Sequence, residues 1–292
     1  MNNLESVNCN FCGSNNNRIV YVKEGFNIVK CNNCNLVFVN PRLTDDAINK
    51  LYDNNYFVGN GFDQSIKYDK EFIEKKDLVD LSDWDLSALV EMSNYKPGLK
   101  LLDIGSGMGL FLYKAKKKNF EVKGLELSEY AVSFSKSKGL DTENNSIYRA
   151  NLPKNYYNVI SMKEVIEHLP DPKKALSIIY DSLAPKGVLF ITTGNYNCPE
   201  RMLRGSNWFY FMPKGHIYIF QPNTIKKYLT AAGFSKVVVT NQGDLLMNFL
   251  LKLNIIDTER FIPNGIFKKL VFYLIRFINH FISSGMRIYA IK

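Results

Sequence analysis

The sequence predicts an α/β protein in which helices cover both faces of a parallel β-sheet, with a small cysteine-rich module in front of the sheet. Three observations lead to this prediction. Between residues 99 and 240, short apolar runs alternate with helical segments, as they do where helices join parallel strands. A glycine-rich turn directly follows the first of these runs. Two C-x-x-C pairs precede them, near the N-terminus.

Composition limits the class of protein. The chain has 292 residues, of which 46% are hydrophobic, so it can form a substantial core and is not a disordered chain. Its formal net charge of +9 could attract nucleic acid, an anionic membrane or a phosphorylated substrate, or could be solvated surface. Residues 1–10 lack a signal-peptide pattern, and no segment has the roughly 20 apolar residues of a membrane span. We therefore expect a cytoplasmic protein.

Three regions follow one another along the chain. Residues 1–43 contain the cysteine pairs, residues 44–98 have a helical pattern and form a linker or cap, and residues 99–292 form the main domain. The main domain carries an aromatic insert at 195–220 and an apolar helical insert at 244–283.

The first region is predicted to be a zinc ribbon. Cys9 and Cys12 form one C-x-x-C pair, and Cys31 and Cys34 form a second pair after 18 intervening residues. Two pairs at this separation suit one tetrahedral zinc ion better than four unrelated thiols. A four-cysteine site has no open coordination position, so its zinc is structural and stabilises a module with little core of its own. Cys198 is left as a buried or loop thiol.

Periodicity and turn signals predict the elements of the helical region and the main domain. Apolar residues recur at helical spacing before a Lys-Pro-Gly turn at 96–98: Leu78, Leu81, Leu86, Leu89 and Val90. Ser128 is a candidate N-cap for the helix after the second strand. Strands are predicted at 99–104, 120–127, 157–162, 187–193, 237–240 and 286–291, and helices at 110–118 and 173–183.

The turn after the first predicted strand contains Gly105, Gly107 and Gly109. Glycines there let backbone N–H groups and the N-terminus of the next helix approach a ligand, although dinucleotide-binding proteins use nearly the same turn. Glu126 ends the second strand, where a carboxylate can accept hydrogen bonds from both hydroxyls of a ribose. Because ligands bind at the carboxyl ends of such strands, this edge of the sheet is the predicted binding site.

These segments resemble a known family. Residues 101–109, with Asp103 ahead of the three glycines, resemble motif I of the class I S-adenosylmethionine-dependent methyltransferases. Residues 157–172 resemble the family's fourth strand and the V-x-E-H-x-x-D-P stretch after it, and residues 215–234 resemble the segment before its sixth strand. The order and spacing of the three matches are more specific than any one of them. The resemblance implies a Rossmann-like sheet and an enzyme that uses S-adenosylmethionine.

The resemblance also implies roles for the matching residues. Asp103 would lie near the ammonium group of the methionine moiety, and Glu126 would bind the ribose hydroxyls. Leu127 would pack on the adenine. Asn151 stands where the family often has an acidic residue that meets the adenine amine, and an amide can accept the same hydrogen bond. The other cofactor contacts implied in this way are Gly105, Ser106, Gly107, Gly109 and Met162.

The predicted zinc ribbon in front of the main domain suggests which acceptor is methylated. A zinc ribbon in front of such a domain resembles bacterial enzymes that methylate sugars, including shorter ones of surface-polysaccharide biosynthesis. The implied acceptor is a sugar or nucleotide-sugar hydroxyl. Two alternatives stay open: an RNA methyltransferase that uses the ribbon and the basic surface, and a non-catalytic scaffold of the same fold. Nucleic acid is the less expected partner because the ribbon has few basic residues, Arg18, Lys23 and Lys30.

Methylation of a hydroxyl requires that its proton be removed. His216 is the first candidate for the general base, and turnover should then rise with pH through the imidazole range; alternatively, it organises its loop. His168 is the second candidate because it lies near the cofactor on one helical face with Glu164, although it could be structural. Tyr210 is the third candidate.

The two inserts allow more than one interpretation. The aromatic side chains of residues 195–220 favour a lid or a wall that meets a sugar ring, and they would also suit simple packing. Residues 266–282 have an apolar helical face and a basic one. This helix could lie on the inner face of a membrane, form a homodimer, or pack on the protein's own core.

Overall fold

A computed structural model describes residues 3–52, 54–58, 76, 81–93, 96–241 and 283–292. In these ranges the strands form a central sheet of seven strands, a smaller sheet of four and a two-stranded pair. Helices lie on both faces of the central sheet. Two separate clusters of buried residues, one on each face, contain residues of both the sheet and the helices. The predicted α/β architecture, with a small cysteine-containing module before it, is confirmed.

The first 43 residues contain five short strands: β1 (Leu4–Glu5), β2 (Asn17–Lys23), β3 (Phe26–Cys31), β4 (Val37–Val39) and β5 (Arg42–Leu43). β2 and β3 form an antiparallel hairpin whose turn residues, Glu24 and Gly25, have positive φ values of 50° and 78°. β4 pairs with β3, and β1 pairs with β5. The hairpin therefore brings the second cysteine pair, which flanks the end of β3, close to the first.

In the described part of the region predicted as a helical linker or cap there are three α-helices: α1 (Asp45–Asn49), α2 (Asn54–Phe57) and α3 (Leu81–Met92). Leu86 and Leu89 of α3 are completely buried against one face of the central sheet, as their helical spacing predicts. Leu78, from the same predicted pattern, lies outside the described residues.

The rest of the described chain adds eight strands: β6 (Lys100–Ile104), β7 (Glu121–Glu126), β8 (Thr142–Asn144), β9 (Tyr157–Lys163), β10 (Leu183–Gly194), β11 (Tyr218–Ile219), β12 (Lys236–Asn241) and β13 (Gly285–Ile291). The central sheet has the order β12-β13-β10-β9-β6-β7-β8. The carboxyl ends of β6, β7 and β9 therefore meet at one edge of the sheet, since these strands are parallel neighbours.

The sheet is mixed, whereas the sequence predicted a parallel one. β13 runs antiparallel to both of its neighbours, with Ile288 opposite Ile191 of β10 and Val239 of β12. The apolar run at 286–291 predicted the strand correctly. Its direction could not be predicted, because a buried strand has the same apolar pattern in either orientation.

The described residues form five more α-helices: α4 (Leu110–Lys117), α5 (Glu129–Ser137), α6 (Pro172–Ser182), α7 (Pro199–Arg204) and α8 (Pro222–Ala231). Successive residues of a strand point to opposite faces of the sheet. Leu101 packs with α3 and α4 on one face, and Leu102 packs with α6 and α8 on the other. The Ser128 side chain accepts a hydrogen bond from the Ala131 N–H, which confirms the predicted N-cap of α5.

The ribbon and the main domain share a sheet and a core. β11 pairs antiparallel with β4, so a strand from the end of the aromatic insert completes the four-stranded sheet of the N-terminal module. Val29 and Phe38 of the ribbon belong to the same buried cluster as Ile217 and Tyr228 of the main domain. The ribbon is therefore fixed against the segment that contains His216.

The apolar insert at 244–283 lies outside the described residues except for its last residue, and so does the whole helix predicted at 266–282. Its expected contact with a membrane, a second copy or the protein's own core stays a prediction. Among the helices that the structure describes, none is both long enough and apolar enough to cross a bilayer.

Candidate active site

The glycine-rich turn between β6 and α4 depends on backbone conformations that favour glycine. Gly105, Gly107 and Gly109 have φ values of 70°, 51° and 84°. A Cβ atom on Gly105 would lie only 2.5 Å from Cγ2 of Val165 in the segment after β9. The turn is thus closely packed against its neighbour, and its backbone N–H groups lie at the start of α4 on the carboxyl edge of the sheet.

Glu126 ends β7, and its carboxylate is turned back towards the backbone. Oε2 accepts a hydrogen bond from the Gly107 N–H at 2.9 Å, and Oε1 accepts from the Leu127 and Ser128 N–H groups at 2.8 and 2.9 Å. Burial raises the pKa of Glu126, and these three donors oppose that rise. Glu126 therefore fastens the glycine turn to β7, and Oε2 keeps a lone pair for a further donor.

Asn144 stabilises the same corner from β8. Its Nδ2 donates to the carbonyl oxygens of Glu126 and Leu127, at 3.2 and 2.7 Å. These bonds fix the backbone on which the Glu126 carboxylate depends. Sequence analysis missed Asn144 because β8 has only three residues and no apolar run that would mark it as a strand.

Asp103 lies near the end of β6 and is buried. Its Oδ1 accepts a hydrogen bond from the Ser161 hydroxyl at 2.7 Å. Burial raises the pKa of Asp103 to about 7, although the Ser161 hydrogen bond and the positive charge of Lys163 act in the opposite direction. A positively charged group of a ligand would favour the ionised form of this carboxyl group.

Aromatic side chains of the cap region cover the glycine turn. Tyr56 and Phe57 are buried in one cluster with Met108, and the nearest atom to a Cβ built on Gly107 is Cε1 of Phe57, at 3.8 Å. Tyr52 packs edge-to-face on Tyr56, with ring centroids 5.0 Å apart. Sequence analysis did not include these residues in the site. The spacing of the two tyrosines, four residues apart, was the available signal.

The other predicted cofactor contacts differ in what they expose. Leu127 is 41% exposed, which leaves a face for stacking. Asn151 is exposed and its side chain has no hydrogen bond with a described residue, so its contact with adenine stays a prediction. The Ser106 hydroxyl is buried against Gly124 of β7, so Ser106 can offer only its backbone. Met162 is completely buried in the core, and the structure does not support it as a contact of the methyl donor.

Two glutamates and two histidines meet beside the glycine turn. Glu164 precedes Val165, the residue that packs on Gly105, and Glu167 follows two residues after it; Glu167 is completely buried and Glu164 is half-buried. His168 follows directly, and its ring centroid lies 4.7 Å from that of His216. The structure thus brings together the two histidines that the sequence predicted as catalytic, and adds two carboxyl groups to them. We call these four residues the His–Glu cluster.

Backbone carbonyls hold both imidazole rings. Nδ1 of His168 lies 2.9 Å from the Gly215 oxygen and 2.7 Å from the Tyr52 hydroxyl, and Nδ1 of His216 lies 2.8 Å from the Tyr210 oxygen. A carbonyl oxygen can only accept, so each Nδ1 carries the hydrogen. The lone pair of each neutral ring is therefore on Nε2.

Tyr210 connects the two carboxyl groups of the cluster. Its hydroxyl donates to Oε1 of Glu167 at 2.7 Å and also contacts Oε2 of Glu164, while Thr193 donates to Oε2 of Glu167 at 2.9 Å. Burial and then the charge of Glu167 raise the pKa of Glu164 to about 7. One phenol has one proton, so the second contact is satisfied when a carboxyl group is protonated. Tyr210 thus positions the carboxyl groups.

The structure corrects the expected titration of His216. The residue is 5% exposed, and burial, with the neighbouring His168 adding to it, lowers the pKa of His216 well below its usual range. Burial also lowers the pKa of His168. Both rings are therefore neutral at pH 7. The rise in turnover through the imidazole range, expected from sequence, does not follow for a histidine in these surroundings.

The aromatic insert packs mainly against the ribbon. Trp208 and Phe211 are almost completely buried in one cluster with Ile28 and Val37 of the ribbon. Among the aromatic residues of the insert, all of which the structure describes, Phe209 alone is exposed, at 53%. The packing alternative is therefore correct for the buried side chains, and the expected wall for a sugar ring is reduced to Phe209.

The four predicted zinc ligands converge. All four Sγ atoms lie within 4.8 Å of one another, with 3.4 Å between Cys9 and Cys34 and 3.6 Å between Cys12 and Cys31. The sulfur atoms of a tetrahedral site with Zn–S bonds of about 2.3 Å are about 3.8 Å apart. Burial raises the pKa of Cys31, but backbone N–H donors of Cys34 and Asn33 outweigh it and bring the pKa to about 7. The geometry and donor set fit zinc, whose presence stays a prediction.

Known proteins are similar to this region in sequence and fold. The model of a family described as "Methyltransferase domain" matches residues 81–239. The ubiquinone biosynthesis O-methyltransferase of Idiomarina loihiensis is 24% identical over 155 residues, which are 49% of this chain and 64% of that protein. The chain matches less than two thirds of the length of this and other curated relatives.

Two solved structures have the same fold. A SAM-dependent methyltransferase from Archaeoglobus fulgidus has a TM-score of 0.51 at 23% identity, over 77% of this chain and 100% of that one. The phosphoethanolamine N-methyltransferase 2 of Haemonchus contortus, in complex with S-adenosyl-L-methionine, has a TM-score of 0.52 at 18% identity. The match covers 85% of this chain and 56% of that one. At these identities, the likeness concerns the fold.

Proposed function

The chain belongs to the methyltransferase domain family, and on that premise we propose that it transfers a methyl group from S-adenosylmethionine to an oxygen of a small polar acceptor. The main observation in favour of this proposal is the His–Glu cluster. It presents buried proton-accepting atoms beside the glycine turn, where a hydroxyl group would find a partner for its proton.

The cofactor side of the site suits S-adenosylmethionine. Glu126 offers a remaining lone pair on Oε2 to the ribose, and the glycine turn lets the backbone approach the ligand. Asp103 supplies a carboxyl group that a cationic ligand would ionise. When bound, S-adenosylmethionine supplies an electrophilic methyl group, which the acceptor oxygen takes as the S–C bond breaks.

The acceptor side suits a hydroxyl group. Both histidines are neutral and have their lone pairs on Nε2, so they can accept a proton or a hydrogen bond but cannot donate through that atom. The proton of the acceptor hydroxyl leaves towards this cluster while the O–C bond forms.

Within this class we propose a sugar or nucleotide-sugar hydroxyl of surface-polysaccharide biosynthesis as the acceptor. The support is the resemblance of a ribbon joined to such a domain, together with the exposed Phe209. The relative from Idiomarina loihiensis is named as an O-methyltransferase, which agrees with an oxygen acceptor.

Labelled S-adenosylmethionine tests the acceptor. The purified protein is incubated with nucleotide sugars, a dihydroxylated aromatic acid, phosphoethanolamine and bulk RNA, and the transferred label is counted. We expect transfer to a nucleotide sugar. Transfer to the aromatic acid would keep the oxygen class and reject the sugar, whereas transfer to phosphoethanolamine or to RNA bases alone would reject an oxygen acceptor.

Once an acceptor is found, His216→Gln tests the cluster. We expect turnover to fall about a hundredfold or more, with the dissociation constant of S-adenosylmethionine within about twofold of wild type. Glu121→Gln, an exposed carboxylate at the far end of β7, serves as the control and should keep its turnover. Wild-type turnover in His216→Gln would remove this residue from the mechanism.

A further inference from the structure

In the part of the chain that the structure describes, two groups of side chains place three or more candidate metal-ligand atoms together. One is the four-cysteine set. The other consists of Glu167, His168 and His216, whose candidate ligand atoms all lie within 4.8 Å of one another. The second group lies in the candidate active site, and sequence analysis treated its histidines as acid–base candidates without connecting them to a carboxylate.

The two histidines make the kind of hydrogen bond that histidine ligands of metals usually make. Nδ1 of His168 donates to the Gly215 carbonyl and Nδ1 of His216 donates to the Tyr210 carbonyl. This arrangement fixes the tautomer, orients the ring and leaves Nε2 to bind a cation. Among the described residues, Nε2 of His216 has no hydrogen-bond partner, and the His168 ring has one further backbone contact, with Glu164.

Hydrogen bonds also fix the position of the Glu167 carboxylate. Glu167 is completely buried, Tyr210 donates to its Oε1 and Thr193 donates to its Oε2. Both donors are neutral, so neither balances the negative charge of a carboxylate. Burial of an unbalanced charge costs several kcal/mol, on the order of what a bound cation would offset. Glu164, which contacts the same Tyr210 hydroxyl, adds a second carboxyl group.

We propose that Glu167, His168 and His216 bind a divalent first-row transition-metal cation, and that this cation takes the acceptor oxygen as a further ligand. Two imidazoles and a carboxylate suit ions such as Mn²⁺, Fe²⁺ or Zn²⁺ better than Mg²⁺ or Ca²⁺, which prefer oxygen ligands alone. With bonds of about 2.1 Å, tetrahedral ligands are about 3.4 Å apart. One candidate ligand atom of each side chain already lies within 4.8 Å of the other two, so binding would draw the three side chains closer together.

The cation would give the proposed methyl transfer its nucleophile. With the cation on the histidines, their Nε2 atoms no longer accept the proton, and water takes that role. A hydroxyl group bound to a divalent cation has a much lower pKa, so it loses its proton to water as it binds. The oxygen then donates a lone pair to the methyl carbon, and the electrons of the S–C bond stay on sulfur. The role of the cation in catalysis rests on the proposed function, whereas its binding does not.

Manganese binding tests the site without any activity measurement. Free Mn²⁺ is titrated into the full-length protein and followed by electron paramagnetic resonance, since Mn²⁺ disfavours thiolate ligands and so does not report on the cysteines. Co²⁺ is a second probe, whose absorption distinguishes nitrogen and oxygen ligands from thiolates. We expect one site per chain for at least one of the two ions. A dissociation constant above about 1 mM for both ions would overturn the proposal.

Matched substitutions locate the site. Glu167→Gln and His216→Gln should each weaken binding of the probe at least tenfold, because each removes a ligand. Glu121→Gln makes the same chemical change at an exposed position and should bind as wild type does. His168→Gln replaces either variant that fails to fold by circular dichroism. Wild-type affinity in the folded cluster variants would overturn the assignment.

The outcomes separate this inference from the proposed function. A protein that methylates an acceptor at equal rates with and without added Mn²⁺ or Co²⁺, and binds neither ion outside the cysteines, keeps the proposed function and loses the cation. A protein that binds the ion in the cluster and methylates none of the tested acceptors keeps the site and loses the function.

Discussion

Asp103 and Glu126 show how neighbouring carboxyl groups acquire different properties. Both are buried at the carboxyl ends of adjacent strands. Glu126 accepts hydrogen bonds from three backbone N–H groups, whereas Asp103 accepts one from a hydroxyl. Burial therefore leaves Asp103 with a pKa of about 7. The protonation state of Asp103 thus depends on what binds beside it.

We predict that the affinity for S-adenosylmethionine falls as the pH is lowered below about 7. The cationic ligand favours ionised Asp103, so at lower pH binding must first remove a proton, and affinity drops by up to about tenfold per pH unit. Above pH 7 the carboxyl group is already ionised and its contribution is complete. Calorimetric titration between pH 5.5 and 7.5 measures this. Asp103→Asn should bind more weakly with a flat profile, and a flat wild-type profile would contradict the prediction.

The residues that sequence analysis placed correctly are those with local signals. The cysteine spacing and the glycine turn are visible in any linear sequence, and the four thiols and the three left-handed glycines are where they were expected. The burial of His216 is not a local property. Its neighbours Lys214 and Gly215 suggest a loop, whereas in the structure the ring is buried in contact with Tyr210 and His168.

At the scale of elements, the turn between β6 and α4 decides whether a cofactor can approach the sheet. Two features require glycine at position 105: the φ angle is positive, and a Cβ atom would lie 2.5 Å from Cγ2 of Val165. Gly139, after α5, has a similar φ of 73° with no atom within 4 Å of a Cβ. The two positions therefore separate backbone strain from steric clash.

We predict that Gly105→Ala destabilises the protein by about 1 to 3 kcal/mol more than Gly139→Ala, since only the former adds a clash to the strain. Gly139→Ala should cost about 1 to 2 kcal/mol and leave S-adenosylmethionine binding unchanged, while Gly105→Ala should weaken it. Urea unfolding and ligand titration measure both effects. Equal losses of stability in the two variants would mean that the contact with Val165 does not constrain the turn.

The elements themselves were predicted to differing degrees. Long apolar strands such as β9 and β10 were predicted because their residues are buried on both faces. The short strand β8 has no such pattern, and the position of α2 over the glycine turn depends on tertiary packing of Phe57. Pairings such as β4 with β11, between residues about 180 positions apart, leave no trace in a single sequence.

At the scale of the whole molecule, the ribbon is part of the structure that builds the site. β4 pairs with β11, and the Val39 N–H donates to the Ile217 oxygen directly after His216. The buried cluster is continuous from the cysteines to Tyr228 and Met286. Loss of metal from the ribbon should therefore lower the stability of the whole fold.

We predict about one zinc ion per chain in the four-cysteine site, and its loss in Cys31→Ser. Because the ribbon shares its core with the sheet, the variant should unfold in a single transition at a temperature lower by at least about 5 °C. Cys198→Ser is the matched control, a buried cysteine outside the set, and should keep its zinc. Metal analysis and scanning calorimetry measure the two effects. Zinc retained by Cys31→Ser at unchanged affinity would contradict the four-ligand assignment.

Titration of S-adenosylmethionine into the full-length protein tests the central claim most directly, because the proposed methyl transfer presupposes this cofactor. We predict one binding site per chain and a loss of about 1 to 3 kcal/mol in Glu126→Gln, whose amide cannot replace a charged acceptor for the ribose hydroxyls. Glu121→Gln, at the opposite end of β7, should bind as wild type does. Absence of binding to the wild-type protein, or equal affinity in Glu126→Gln, would contradict the account.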